Sequence, residues 1–212
     1  MVNLELFRNK LPSGLIHLND FLDLKFQKQV LTEIDKITTI CPLRRIKTKN
    51  GGNFSTQITN CGKLGWWSDH KGYRYTDCDP TTGLTWPKMP DLFIEIIHRT
   101  LKNIPIEKTF IPDACLINYY SKDSKMGLHQ DKDEKDLTQP IITISLGDRA
   151  DFMIGGNKRS QKPALLNLDS GDVLVMSKDA RPLFHGIKRI YEETSPIKKL
   201  IGRFSLTFRK AG

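Results

Sequence analysis

The chain has 212 residues and a formal net charge of +9 at pH 7, with 33 basic side chains against 24 acidic ones. This length suits one domain with an elaborated end, and the positive balance points to an anionic partner. No apolar run approaches transmembrane length, residues 1–20 lack the apolar stretch of a signal peptide, and the four cysteines show no C-x-x-C spacing. The sequence therefore disfavours membrane proteins, secreted disulfide scaffolds and zinc-ribbon proteins. It predicts free thiols and a cytoplasmic location, or a nuclear one in a eukaryote.

The first 40 residues are predicted to form an N-terminal extension that ends in a helix. Between residues 20 and 37 apolar side chains recur at helical spacing, as at Phe26, Val30 and Ile34. Asn19 and Asp20 are of the residue types that cap a helix at its N-terminus. The pattern indicates an amphipathic helix with one buried face.

Residues 41–89 differ in character, because they are rich in Gly, Thr and Asn and lack helical periodicity. Seven basic side chains stand against one acidic side chain between residues 41 and 75, interleaved with Trp66, Tyr73 and Tyr75. A solvated lysine-rich face is the alternative, but a concentrated basic and aromatic segment is more typical of nucleic-acid binding. We therefore expect short hairpins and loops that form a nucleotide-recognition lid.

Residues 90–212 are predicted to form the core. A second helix begins near Pro90 and Asp91, and turn-punctuated β-rich segments follow it. These segments cover residues 114–120, 140–146, 151–154, 164–168, 172–177, 183–187 and 202–209. Seven or eight short strands suit a double-stranded β-helix of the jelly-roll type. The predicted fold class is therefore mainly β with flanking helices (α+β), a jelly-roll core preceded by a lid.

A His-x-Asp pair and one distant histidine form a candidate metal site. His129 and Asp131 have the same parity, so an extended segment places both side chains on one side. His185 lies beyond any local turn and must return by tertiary folding. Two histidines and one carboxylate form the facial triad that holds Fe(II) and leaves adjacent positions open. The alternative makes His129 a surface residue beside the charged run 131–136; order and context favour a non-haem iron oxygenase.

The last predicted strand carries polar side chains on one face and aromatic or aliphatic ones on the other. Arg203, Ser205, Thr207 and Arg209 share the polar face. An edge strand facing water would also explain them, but a polar face inside a jelly roll suits an anion pocket, since guanidinium binds carboxylate through two parallel hydrogen bonds. The two arginines are roughly 20 Å apart along an extended backbone, so they predict two separate anionic ends.

Four blocks of sequence resemble one known family. They are the stretches at residues 60–66 with 72–75, 115–120, 128–134 and 206–212. The third reads Leu128-His129-Gln130-Asp131-Lys132-Asp133-Glu134, and all four occur in family order. From about Asn60 to its end, the chain resembles the bacterial AlkB alkylation-repair dioxygenases.

The resemblance implies a role for each matching residue. Fe(II) would be bound by His129, Asp131 and His185. The co-substrate 2-oxoglutarate would be held by Asn118, Tyr120, Arg203, Ser205 and Arg209, with Arg203 at the distal carboxylate and Arg209 at the metal-chelating end. The nucleotide would be contacted by Trp66, Tyr73, Arg74, Tyr75, Asp133 and Arg159. One departure is Ser205, where the family pattern leads us to expect Asn; a hydroxyl reaches less far toward a carboxylate.

The implied chemistry is oxidative demethylation of N-alkylated bases such as 1-methyladenine and 3-methylcytosine. It uses Fe(II), 2-oxoglutarate and O2, and it releases succinate, CO2 and formaldehyde. The implied partner of a monomeric enzyme is alkylated single- or double-stranded DNA, reached by flipping the base out of the stack. Two alternatives stay open: a related hydroxylase or demethylase acting on RNA, and a nucleic-acid-binding jelly roll with a vestigial iron site.

Overall fold

The computed structural model describes residues 11–105 and 109–212, which form two helices and twelve strands. In chain order these are β1 (Leu15–Leu18), α1 (Leu24–Ile40), β2 (Gln57–Gly62), β3 (Gly65–Asp69), β4 (Gly72–Thr76), α2 (Asp91–Lys102), β5 (Ala114–Tyr120), β6 (Met126–His129), β7 (Ile141–Gly147), β8 (Arg149–Ile154), β9 (Ala164–Leu168), β10 (Val173–Met176), β11 (His185–Tyr191) and β12 (Arg203–Arg209). In this part of the chain neither helix is long and apolar enough to cross a membrane.

Ten of the strands form two antiparallel sheets. The larger sheet has the order β1-β10-β7-β12-β5-β2, and the smaller has the order β6-β11-β8-β9. The remaining pair, β3 and β4, forms a separate hairpin. This arrangement confirms the predicted mainly β jelly roll. It also places β12 in the interior of the larger sheet, so the edge-strand alternative for its polar face is wrong.

Two apolar layers hold the sheets and helices together. The helices cover one face of the larger sheet, where Ile34 and Phe93 pack with Ile117 and Phe208 in one buried cluster. The rings of Phe93 and Phe208 meet edge to face at 5.7 Å. The second layer lies between the sheets and includes Tyr120, Ile141, Met176, Phe152 and Ile187. Because side chains alternate along each strand, the same strands supply the helix-facing core and the wall of the inter-sheet space.

The first helix begins later than the sequence predicted. Its N-cap is Asp23, whose carboxylate accepts a hydrogen bond from the Phe26 N–H at 2.8 Å. The prediction of Asn19 or Asp20 as the cap was wrong, and Asp20 instead donates its backbone N–H to Asp172. The second helix begins at Asp91, as predicted.

Several strand boundaries also differ from the prediction. Strands β1 and β6 were not predicted as separate elements, since four residues each give too short a pattern. Strand β11 runs from His185 to Tyr191 rather than over 183–187. Strand β2 lies within the segment predicted as a lid, yet it pairs with β5 in the larger sheet. The lid segment is therefore joined to the core by a shared sheet.

Candidate metal centre and co-substrate pocket

Strand pairing brings the three predicted metal ligands together. His129 ends β6 and His185 begins β11, and these two residues are direct partners across the antiparallel pair. Their rings lie 4.4 Å apart, centroid to centroid. Asp131 follows two residues after His129, and one ligand atom from each residue lies within 4.8 Å of the others. The sequence separation of the two histidines is thus closed by one strand pair.

Backbone carbonyls set the orientation of both imidazoles. His129 Nδ1 lies 2.9 Å from Gly127 O, and His185 Nδ1 lies 3.0 Å from Leu183 O. A carbonyl oxygen only accepts, so Nδ1 carries the proton in each ring and Nε2 keeps its lone pair. Both Nε2 atoms lie 3.7 Å from oxygens of the Asp131 carboxylate. Two imidazole nitrogens and one carboxylate converging in this way fit Fe(II).

The electrostatics of the site favour the metal-binding protonation states of His129 and Asp131. Packing of protein atoms around the His129 ring, followed by the neighbouring His185, lowers the pKa of His129, although 40% of its side chain is still exposed at the cavity mouth. Burial opposes ionisation of Asp131, but Arg209 and the two histidines hold the pKa of that carboxyl well below its usual range. Neutral imidazoles and an ionised carboxylate are the forms that bind a cation.

The two predicted co-substrate arginines lie at opposite ends of β12. Arg209 donates from Nη2 to Asp131 Oδ2 at 2.7 Å. Arg203 is fully buried and donates to neutral acceptors, namely Asp148 O at 3.0 Å, Leu168 O at 3.1 Å and Ser145 Oγ at 2.6 Å. Burial lowers the pKa of Arg203 to about 10. Arg203 is therefore a buried cation whose hydrogen-bond acceptors among the described residues are all neutral.

Polar atoms without partners line the wall between these arginines. Among the described residues, Arg203 Nε and the side-chain oxygen of Asn118 are buried and have no hydrogen-bond partner. Arg209 Nε lies 3.2 Å from Glu134 Oε1 but without hydrogen-bond alignment. Buried polar groups normally find partners, so unpaired ones facing a cavity mark a ligand position. A dicarboxylate such as 2-oxoglutarate fits this wall.

One cavity of about 500 Å³ contains nearly all the predicted site residues. Its lining includes His129, Asp131, His185, Asn118, Tyr120, Arg203, Ser205, Arg209, Trp66, Tyr73, Tyr75, Asp133 and Arg159. Thr207 also lines it, so the whole polar face of β12 turns toward the cavity. The three candidate metal ligands, the buried Arg203 and the aromatic side chains at the cavity mouth thus line one space.

The rim of the cavity is aromatic and carries one carboxylate. Trp66 and Tyr73 stack at 5.6 Å with an angle of 22° between their planes, and Phe54 meets Trp66 edge to face at 6.0 Å. The Trp66 indole N–H donates to Asp133 Oδ2 at 2.9 Å. This bond fixes the plane of the Trp66 ring and occupies one of the two carboxylate oxygens of Asp133.

Arg74 is the one predicted site residue that does not line the cavity. It forms two hydrogen bonds of 2.8 Å with Asp69. Alternate residues of a strand face opposite sides, so Tyr73 and Tyr75 turn toward the cavity while Arg74 turns away with Trp67, its partner across the hairpin. The hydrogen bond from Arg74 holds the pKa of Asp69 well below its usual range. Grouping Arg74 with its two neighbours ignored this alternation.

Two buried residues at the site were missed from the sequence. Glu134 accepts a hydrogen bond from the Tyr75 hydroxyl at 2.7 Å and another from Arg181 Nη2 at 2.7 Å. Arg181 also donates to the backbone carbonyls of Asp131 and Gln139. Glu134 belonged to a charged run, and Arg181 to no motif. The only local signal was that Arg181 stands four residues before His185.

Comparisons with known proteins agree with this geometry. A family model described as the 2OG-Fe(II) oxygenase superfamily matches residues 14–209. The chain is 39% identical to the alpha-ketoglutarate-dependent dioxygenase AlkB of Escherichia coli K12, over 98% of this chain and 95% of that protein. It is 30% identical to the DNA N(6)-methyladenine demethylase ALKBH1C of Arabidopsis thaliana (86% of this chain, 47% of that one) and to the tRNA demethylase abh1 of Schizosaccharomyces pombe (66% and 46%). A solved structure titled "The structure of OsALKBH1" superposes with a TM-score of 0.82 at 30% identity, covering 95% of this chain and 98% of that one.

Proposed function

Because the chain belongs to the AlkB family of Fe(II)- and 2-oxoglutarate-dependent dioxygenases, we propose that it repairs DNA by demethylating N-alkylated bases, in particular 1-methyladenine and 3-methylcytosine. The observation that carries this proposal is the cavity in which a His–Asp–His cluster lies below an aromatic rim. When bound, iron and 2-oxoglutarate supply oxidation of the N-methyl group by O2, which yields succinate, CO2 and, after the hydroxylated methyl group leaves, formaldehyde.

The residues of this chain would divide the work in the cavity. His129, Asp131 and His185 would hold Fe(II), with both imidazoles pre-oriented by backbone carbonyls. Arg203 would take the distal carboxylate of 2-oxoglutarate, since among the described residues this buried guanidinium donates hydrogen bonds only to neutral acceptors. The metal-proximal end would be held by Asn118, Tyr120, Ser205 and Arg209. Ser205 on β12 pairs with Asn118 on β5 and with Ser145 on β7, so its short hydroxyl side chain lies between two polar neighbours.

The rim would receive the base after it leaves the stack. Trp66 and Tyr73 offer ring faces, and a methylated adenine or cytosine is a cation that such faces attract by about 0.5–2 kcal/mol. Asp133 would accept from the exocyclic amino group with the oxygen that Trp66 does not use, and its charge would favour a cationic ring. Tyr75 and Arg159 also line the cavity and would complete the contact.

The division of the chain follows from these roles. We assign residues 1–40 to an N-terminal extension with its helix, residues 41–89 to the recognition lid and residues 90–212 to the dioxygenase core. Residues 1–10 lie outside the described part of the chain. The proposal includes a monomeric enzyme, because one chain supplies every group named above. It also includes a location in the cytoplasm, or in the nucleus if the source is a eukaryote, which the cysteine pattern indicates.

A second candidate substrate is RNA. It is favoured by the similarity to a protein named tRNA demethylase. The alternative of a vestigial iron site is disfavoured by the intact ligand cluster and its carbonyl-oriented imidazoles.

The experiment is anaerobic reconstitution with Fe(II) and 2-oxoglutarate, followed by admission of air to matched methylated DNA and RNA oligonucleotides. We expect mass spectrometry to show loss of one CH2 unit from DNA carrying 1-methyladenine or 3-methylcytosine. Faster loss from the RNA strand would make RNA the substrate. Succinate formation without any change in oligonucleotide mass would contradict the proposed function.

A further inference from the structure

The loop between β6 and β7 carries one residue of the candidate metal site and one residue of the rim that would recognise the base. It spans residues 130–140 and contains Asp131 of the metal cluster and Asp133 of the rim. One guanidinium bonds this loop at three points. Arg181 donates to Asp131 O at its start, to Glu134 Oε2 in its middle at 2.7 Å and to Gln139 O near its end at 3.2 Å. We propose that Arg181 is the positioning residue that fixes the metal-ligand carboxylate and the base-recognition carboxylate as one unit.

The loop needs such a clamp because strand pairing does not hold it. It lies outside the β-ladders, and within residues 131–136 four acidic side chains stand against two lysines. Arg181 is 4% exposed and follows the short 3-10 turn at Lys178–Ala180. A planar fork with five fixed donors can hold several acceptors at set angles, which a flexible ammonium cannot do.

The clamp also joins the loop to the segment that carries the second histidine. Gln130 Nε2 donates to Pro182 O at 2.6 Å, next to Arg181 and three residues before His185. Asp131 and His185 therefore come from two segments cross-linked at neighbouring positions. A shift of either segment would change the separation of the two ligands.

Glu134 extends the clamp to the lid. The side chains of Glu134 and Arg181 are 3% and 4% exposed, and the Tyr75 hydroxyl on β4 donates to Glu134 Oε1. Arg209, which donates to Asp131, lies 3.2 Å from the same oxygen. Breaking a buried pair by removing one partner leaves an uncompensated charge, so the loop would rearrange rather than keep its place.

Metal binding gives a direct test, and it rests on the proposed function only in taking the His–Asp–His cluster as the metal site. Arg181→Lys keeps the charge and loses the fork, whereas Glu134→Gln keeps the shape and loses one charge. Gln27→Ala is the control, because Gln27 is buried and bonds Leu22 O and Ser170, away from the loop. Each full-length variant is titrated anaerobically with Mn(II), without nucleic acid, and its Tm is recorded.

We expect Arg181→Lys to weaken Mn(II) binding about 10- to 100-fold, the range seen when outer partners of metal ligands are changed. Glu134→Gln should weaken it less. Gln27→Ala should lower Tm and leave Mn(II) affinity unchanged. In the folded lysine variant the KM for a methylated oligonucleotide should also rise, since Asp133 moves with the loop.

Wild-type Mn(II) affinity in folded Arg181→Lys would overturn the inference. If that variant does not fold, Glu134→Gln decides, and unchanged affinity there overturns it equally. Failure of the proposed function looks different, because wild-type protein would then demethylate no oligonucleotide while Mn(II) binding still depended on Arg181.

Discussion

Arg203 and Arg209 lie on the same face of β12 and are both buried, but their partners differ. Arg209 contacts the carboxylates of Asp131 and Glu134, which raise its pKa although burial works against them. Arg203 donates to two carbonyls and one hydroxyl, and burial lowers its pKa. The comparison teaches that one arginine is ion-paired within the candidate metal site, whereas the other has neutral hydrogen-bond acceptors and suits an incoming carboxylate.

Removing the carboxylate on the Arg209 side should have the largest effect. Asp131→Ala deletes a metal ligand and leaves Arg209 without its closest partner, so we expect no measurable 2-oxoglutarate turnover and a stability loss of about 3–5 kcal/mol. His185→Ala should also abolish turnover but leave the ion pair between Arg209 and Asp131 in place. Succinate release and urea unfolding measure the two effects. Retained turnover in His185→Ala would remove the metal assignment.

Changing Arg203 should affect the co-substrate rather than the metal. Arg203→Ala should raise the 2-oxoglutarate requirement by orders of magnitude, because a buried carboxylate would lose its partner, and Arg203→Lys should rescue it only in part. Mn(II) affinity should be nearly unchanged in both. The measurement is succinate formation against 2-oxoglutarate concentration. An unchanged requirement in the alanine variant would place the distal carboxylate elsewhere.

Asp131 and Asp133 also differ in their partners, because Asp131 accepts from the Arg209 guanidinium and Asp133 accepts from a neutral indole N–H. Asp133 is exposed and its closest described partner is the neutral Trp66 N–H, so its charge is free to act on a ligand. We expect Asp133→Asn to reduce repair of cationic 1-methyladenine and 3-methylcytosine roughly fivefold more than repair of neutral 1-methylguanine and 3-methylthymine, about 1 kcal/mol. Competing oligonucleotides measure this ratio. Equal losses on both lesion classes would make Asp133 a structural residue.

The smallest effect on repair should come from a carboxylate on the Arg203 side, because that carboxylate contributes to stability instead. Burial opposes ionisation of Asp172, but His17 and the backbone N–H groups of Asp20 and Asp169 bring its pKa below its usual value. A depressed folded-state pKa adds stability above the unfolded value near 3.9 and loses it as pH falls further. Asp172→Asn should cost about 1–3 kcal/mol at pH 7 and less at pH 3. Equal costs at both pH values in urea titrations would contradict this.

The sequence predicted the parts of the site that follow from strand parity. The triad spacing and the polar face of β12 were predictable, because alternation along a strand decides which side chains share a face. The same rule turns Arg74 away from the cavity that Tyr73 and Tyr75 line, which the grouping of three consecutive residues did not take into account. The jelly roll followed from the number and length of the β-rich segments.

Arg181 and Glu134 could not be predicted in the same way. Their roles depend on a loop without periodicity and on hydrogen bonds that join residues 47 positions apart. The start of α1 was missed because several residues near it are good caps, and only the backbone geometry selects Asp23. Local patterns therefore pointed to the candidate ligands, while the residues that we propose to position them became visible only in the folded structure.

The central claim is that oxidation at the His–Asp–His cluster is directed at a methylated base. The most direct measurement is the ratio of succinate, formaldehyde and restored base in a single turnover on DNA carrying 1-methyladenine. The account predicts equal amounts of all three with wild-type protein, and none with His185→Ala. Succinate produced in full while the methylated base persists would contradict it.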